Sequence, residues 1–203
     1  QSFSYTGGED INGGAISYTS PDFNGFNFSV GSTNGGSGSL TDETSMSITY
    51  SASVNGADVS LGYASGNSGA DNSSGTSIAV DATSLNASIA VGDITVTLAQ
   101  NKVSGNNSDD NATQEYDISA TGYGIEYALN DAMTLSASST AVSGTAAASA
   151  AYKHDQTSYG ISYTVASGVT LSGTFTDFTN NPDATGSNDV SGTATVVKLA
   201  VSF

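Results

Sequence analysis

Hydrophobic residues alternate with polar ones along most of this chain. In the last segment, from Thr195 to Phe203, the odd positions are mostly apolar, and the even positions carry Val, Lys, Ala and Ser. Successive side chains of a strand point to opposite faces, so this segment has one apolar and one polar face. Because the apolar residues recur at every second position rather than at helical spacing, the pattern predicts β-strands.

Short turns alternate with long polar segments between these strands. Asn55-Gly56 is the strongest hairpin signal in the chain, and Asn130-Asp131 and Ser167-Gly168 mark similar turns. Residues 1–13 are rich in glycine and show no sustained alternation, so we predict a loop there. The pattern predicts eleven strands within residues 14–203. Long polar loops are predicted at 32–43, 65–76, 104–114, 141–149 and 179–190.

The aromatic residues favour a membrane-spanning barrel over a β-sandwich. About ten residues of alternating pattern suffice for a tilted strand to cross a bilayer. Two aromatic girdles around an apolar band are typical of outer-membrane barrels. In a sandwich the same residues would only cap a buried core. One predicted girdle lies near the short turns and the other near the long loops: Tyr18, Phe23, Phe26, Tyr127, Tyr163 and Phe203, then Tyr116, Tyr152 and Phe178.

Composition supports a barrel with a wet interior. Only 37% of the residues are hydrophobic, and a water-filled barrel has no apolar core to fill. The formal charge of −16 argues against nucleic acid and anionic membrane surfaces as partners. The same acidity would also suit a halophilic or marine surface. We therefore predict an all-β, antiparallel up-and-down transmembrane barrel.

Three features resemble the general porins of Gram-negative outer membranes. The segment Ile16-Ser-Tyr-Thr-Ser-Pro-Asp-Phe-Asn-Gly-Phe26 resembles the family's Y-x-S-P-x-F-x-G-F hairpin, which follows the constriction loop. The closing strand that ends on Phe203 resembles the C-terminal signal read by the barrel-assembly machinery. The order of loops and turns between them is similar too. The resemblance covers residues 14–203 and implies a passive channel in the cell outer membrane.

The resemblance also implies how the chain is assembled. Its strands would be strands six to sixteen of a sixteen-stranded, trimeric barrel in contact with lipid and lipopolysaccharide, and residues 1–13 would end the constriction loop. Bacterial single-chain barrels have an even number of strands, and an unpaired strand edge is costly in lipid. We therefore expect missing N-terminal strands to pair with the strand that begins near Ala15. The family's eyelet arginines have no counterpart here.

Parity places three charged residues on the polar, pore-lining face: Asp58, Glu126 and Lys198. A charge at the lipid midplane would cost about 2–4 kcal/mol, which favours an inward position. For Lys198 three interpretations stay open: it tunes ion flow, it is a solvated wall charge, or it pairs with Glu126. The same parity predicts further polar-face residues: Asn27, Thr49, Ser60, Asn86, Thr95, Thr97, Ser136, Ser162, Thr170 and Ser172.

Glu9 and Asp10 are candidate constriction residues, because a charged ring in a narrow pore sets ion preference. The alternative interpretation is that Glu9 and Asp10 are exposed charges on a terminal loop. With nineteen acidic residues against three lysines, we expect a cation preference.

Little in the sequence indicates catalysis or a cofactor. The single histidine, His154, lies beside Lys153 and Asp155 and is predicted to be a surface residue on the polar face. Asp109 and Asp110 are weak calcium candidates, although such clusters more often only form loops. We predict a porin-like channel for ions and small hydrophilic solutes and no enzyme activity. The alternative is a secreted or surface β-rich adhesin.

Overall fold

A computed structural model describes residues 2–7, 14–34, 42–71, 77–109, 112–146, 150–181 and 189–202. They form one twelve-stranded antiparallel sheet in which the strand order follows the chain. This confirms the predicted all-β, up-and-down fold. The strands are β1 Ser2–Gly7, β2 Gly14–Thr19, β3 Phe26–Asn34, β4 Asp42–Val54, β5 Ala57–Asp71, β6 Ser77–Val91, β7 Ile94–Asp109, β8 Ala112–Asn130, β9 Met133–Ala146, β10 Ala150–Ala166, β11 Val169–Asn181 and β12 Val190–Val201.

The first strand, β1, corrects the sequence analysis, which predicted a loop over residues 1–13. Phe3 lies opposite Tyr18 of β2, and Tyr5 lies opposite Ile16. The alternation here covers only Phe3 and Tyr5 before the glycines begin, too few positions to stand out. Because the structure describes twelve strands and not eleven, an odd strand number no longer supports the expectation of missing strands. No pairing joins β1 to β12 in the part of the sheet that the structure describes.

The strands extend further into the polar segments than predicted. β5 runs to Asp71 and β6 starts at Ser77, so much of the predicted loop 65–76 is paired strand. β8, with 19 residues, is the longest strand. Where both faces of a strand contact water, no alternation is needed, so these extensions carry no period-2 signal. The described residues include no helix that could span a membrane.

The register joins the apolar positions of neighbouring strands into one face. Val59 lies opposite Ile89, which lies opposite Val96, and Val96 lies opposite Ile125. On the other face Ser60 lies opposite Ser88. Among the described residues no hydrophobic side chain is buried. Since nothing in this part of the chain covers either face, the structure is a single-layered wall and not a sandwich.

The β2–β3 turn explains the S-P-D-F-N-G-F motif. Ser20 is only 3% exposed, and its hydroxyl accepts the Phe28 amide hydrogen at 2.9 Å. Asn24 and Gly25 have φ angles of 55° and 87°, as a type I′ hairpin turn requires. The Gly25 carbonyl accepts the Ser51 amide hydrogen at 2.9 Å, so the turn is anchored to β4.

Candidate functional site: the polar face of the sheet

A row of hydroxyl groups crosses the polar face. Strands β4 to β11 each contribute Ser or Thr at this level except β8, which contributes glycine. Ser60 and Ser88 share a hydrogen bond of 2.9 Å, and Ser158 and Thr176 share another of 2.9 Å. Such groups hydrogen-bond water and carry no charge. The row continues into β12 and consists of Ser51, Ser60, Ser88, Thr97, Gly124, Ser138, Ser158, Thr176 and Ala194.

Asp58, Glu126 and Lys198 all lie on this polar face. Asp58 lies opposite Ser53, whose hydroxyl donates a hydrogen bond to it. Glu126 lies opposite Thr95 and Ser136. Lys198 lies opposite Ser172 on β11, four strands from Glu126, or about 19 Å along the sheet. The structure shows no ion pair between Lys198 and Glu126, so the pairing interpretation is not supported.

Most acidic side chains lie elsewhere. Among the strand residues whose side chains are described, the polar face adds only Glu43, which lies opposite Thr33 and Ser68. Six other acidic residues of the strands continue the apolar face toward the long connections, where Lys153 and Asp155 form an ion pair of 3.2 Å. The net charge is therefore a poor measure of the charge on the polar face. These acidic residues are Asp42, Asp81, Glu115, Asp117, Asp155 and Asp177.

Two aromatic residues of the predicted second girdle lie on the polar face, which corrects that prediction. Phe178 lies opposite Gln156, and Tyr152 lies opposite Gly144. Both are half-buried. Their residue numbers are even, whereas Tyr159 and Phe175 on the apolar face have odd numbers. The alternation of side chains along the strand therefore predicts the face of both residues correctly. Tyr116 lies opposite Gly105, and its side chain is outside the described part.

Several predicted site residues lie beyond the described parts of the chain. Glu9, Asp10, Asp110 and Phe203 are among them. Asp109 ends β7, and its side chain is not described. In the described residues no three His, Cys, Asp or Glu side chains come together to hold a metal ion. Calcium binding therefore stays a prediction.

His154 occupies the polar face, as parity predicted. It lies opposite Val142 on β9 and Asn180 on β11. Its sequence neighbours Lys153 and Asp155 point to the opposite face, because adjacent residues of a strand alternate. The three residues therefore do not form one cluster.

A wide antiparallel sheet with one apolar and one hydroxyl-rich face defines a class of protein, the outer-membrane β-barrels. The model of the Gram-negative porin family matches residues 2–195. The chain belongs to this family, and its location is the outer membrane. No curated protein is significantly similar to it in sequence.

Two solved structures show the same fold. The outer-membrane expressed OmpT of Vibrio cholerae superimposes with a TM-score of 0.64 and 13% identity, covering 93% of this chain and 64% of that one. The anion-selective porin from Comamonas acidovorans gives a TM-score of 0.62 and 15% identity, covering 92% of this chain and 58% of that one. The chain thus spans less than two thirds of either structure.

Proposed function

We propose that this chain forms part of the wall of an outer-membrane channel for passive diffusion of ions and small hydrophilic solutes. The observation that carries the proposal is the row of hydroxyl groups across strands β4 to β11, interrupted only at Gly124 of β8, on one face of a sheet whose other face is apolar. Water and polar solutes pass along the first face, and lipid covers the second. Nothing favours the adhesin alternative, and we expect no enzyme activity from a porin.

We infer a cation preference from the polar face. Among the strand residues whose side chains are described, this face carries three carboxylates, on Glu43, Asp58 and Glu126, against the single lysine Lys198. A pore wall with excess negative charge concentrates cations and repels anions. The Comamonas porin is anion-selective, but at 15% identity the likeness is one of fold and does not set selectivity here.

Planar-bilayer recordings of the full-length protein test both parts of this proposal. In a potassium chloride gradient we expect ion channels whose reversal potential indicates cation preference. The preference should weaken as salt rises, because the screening length falls to about 3 Å at 1 M. Absence of channels would overturn the channel function, and anion preference would overturn only the selectivity.

Glu9 and Asp10 belong to the same proposal. We propose that they border the narrowest part of the pore, so that neutralising them reduces cation preference more than neutralising Asp109 and Asp110. Gly7 and Gly14, which flank their segment, are paired. An equal effect of both neutralisations would contradict the proposed constriction.

The assembly is also a proposal. We propose a homotrimer in which further strands of the same protein pair with β1 and β12, the two edge strands of the described sheet, because a bare strand edge in lipid leaves its N–H and C=O groups unsatisfied. We also propose lipopolysaccharide contacts, and insertion by the barrel-assembly machinery through Phe203. Cross-linking of the full-length protein should give three linked subunits.

A further inference from the structure

We propose that the polar face of β10 and β11 carries a binding subsite for the pyranose ring of a neutral sugar, built on Phe178, Gln156, Ser158 and Thr176. The proposal rests on the channel function above, because it takes the polar face as the surface along which solutes pass. It names a solute class for a channel wall that is otherwise rich in small hydroxyl residues.

The first element of the subsite is the Phe178 ring. Phe178 lies opposite Gly192 of β12. A Cβ atom at Gly192 would lie 3.1 Å from Cζ and 3.4 Å from Cε1 of the ring. The ring therefore lies over a backbone without a side chain and stays close to the wall. One face of a pyranose carries C–H groups, and these can stack on an aromatic ring in such a position.

The second element is a polar network beside the ring. The Gln156 side-chain nitrogen donates to the Ser158 hydroxyl at 3.2 Å, and Ser158 shares a 2.9 Å hydrogen bond with Thr176. Gln156 is the direct cross-strand neighbour of Phe178. Amide and hydroxyl groups offer both donors and acceptors, which is what sugar hydroxyls require. An aromatic surface with a few convergent polar groups is a usual arrangement in ligand sites.

The third element is the distance to charged groups. Lys198 lies six residues along β12 from Gly192, or about 20 Å. Glu126 lies on β8, three strands from Phe178. An ionic solute would gain little from Lys198 or Glu126 at this position, whereas a neutral solute with ring C–H groups and hydroxyls matches the Phe178 ring and the polar network. His154 lies two residues along β10 from Gln156 on the same face, and its imidazole can also hydrogen-bond a sugar hydroxyl. The chemistry therefore favours a neutral sugar over an ion.

The test uses two measurements on the full-length protein, with maltose as the probe. Calorimetric titration in detergent measures binding, and block of single-channel current measures entry into the pore. Sorbitol, a linear polyol, serves as the comparison, because it has hydroxyls but no ring that can stack. We expect sorbitol to bind more weakly than maltose. Phe178→Ala should weaken maltose binding about three- to tenfold and leave sorbitol binding unchanged.

Two further variants separate recognition from folding. Phe178→Leu keeps an apolar side chain over Gly192 but removes the aromatic face, so it should lose most of the same affinity. Phe175→Ala removes an aromatic residue of the same strand from the opposite face and should leave maltose binding unchanged. Gln156→Ala should weaken maltose binding, because it removes the amide of the polar network.

The outcomes distinguish this proposal from the channel function. If the protein conducts ions but binds no maltose, or if all Phe178 variants bind maltose normally, the subsite is refuted and the channel stands. If maltose binding depends on Phe178 but no current flows, the subsite stands and the channel function is refuted.

Discussion

Ile161 offers a direct test of which face contacts lipid. It lies on β10 between Tyr159 and Tyr163, which share its face and are 56% and 42% exposed. The two tyrosines lie four residues apart, or about 13 Å along the strand, so Ile161 is in the middle of the apolar band. The Ile161 side chain is 45% exposed, so a lysine at this position would place its charge in water if the face is solvated, and in hydrocarbon if the face contacts lipid. We therefore compare Ile161→Lys with Ser162→Lys, the next residue on the polar face.

The expected cost follows from the depth of Ile161. A lysine at the midplane of a barrel's lipid face costs about 2–4 kcal/mol. Because the band is narrow here, the flexible side chain can direct its ammonium toward the interface, so we expect the lower end. About 2 kcal/mol corresponds to roughly a 30-fold change in the folding equilibrium. Ser162→Lys should cost less than about 1 kcal/mol, because its side chain meets water.

Urea titration in lipid vesicles, followed by circular dichroism, measures both variants against the unmodified protein. Circular dichroism replaces tryptophan fluorescence as the measure of unfolding, because the chain has no tryptophan. If the two lysines cost the same, or if Ser162→Lys costs more, the assignment of Ile161 to the lipid face is wrong.

Two further predictions concern a turn and the charged wall. Gly25→Ala should destabilise the protein more than Gly56→Ala in the same titration. Both glycines have positive φ, but a Cβ at Gly25 would collide with the Ser51 carbonyl, whereas nothing lies within 4 Å of a Cβ at Gly56. Equal losses of stability would show that the Ser51 contact is unimportant. Glu126→Gln should move the reversal potential toward anion preference and Lys198→Met toward cation preference, and shifts of the same sign would contradict a shared pore wall.

The strands and their faces could be predicted because the period-2 pattern is local. Leu61, Ile161 and Leu199 alternate with small or polar neighbours over enough residues to fix both strand and face. β1 was missed because its alternation ends after Phe3 and Tyr5. Nearness to a long loop predicts the wrong face for Tyr152 and Phe178, whereas the parity of their residue numbers predicts the polar face correctly.

The distribution of charge needed more than composition. The net charge of −16 suggested an acidic lumen, yet Asp81, Asp117 and Asp177 continue the apolar face beyond its band. Whole-chain charge does not distinguish the two faces, whereas position along each strand does. The packing of Phe178 over Gly192 depends on the register of two strands and could not be predicted from either strand alone.

The central claim is that the hydroxyl-rich face meets water and the apolar face meets lipid, and adjacent residues of β5 test it most directly. The chain has no cysteine, so Ser60→Cys and Leu61→Cys each introduce a single thiol. Leu61 is 47% exposed and Ser60 is half-buried, so exposure alone would predict faster modification at position 61. In lipid vesicles, a charged, membrane-impermeant thiol reagent should instead modify Cys at position 60 and leave position 61 unmodified until detergent is added. Equal modification of both, or faster modification at position 61, would contradict the account.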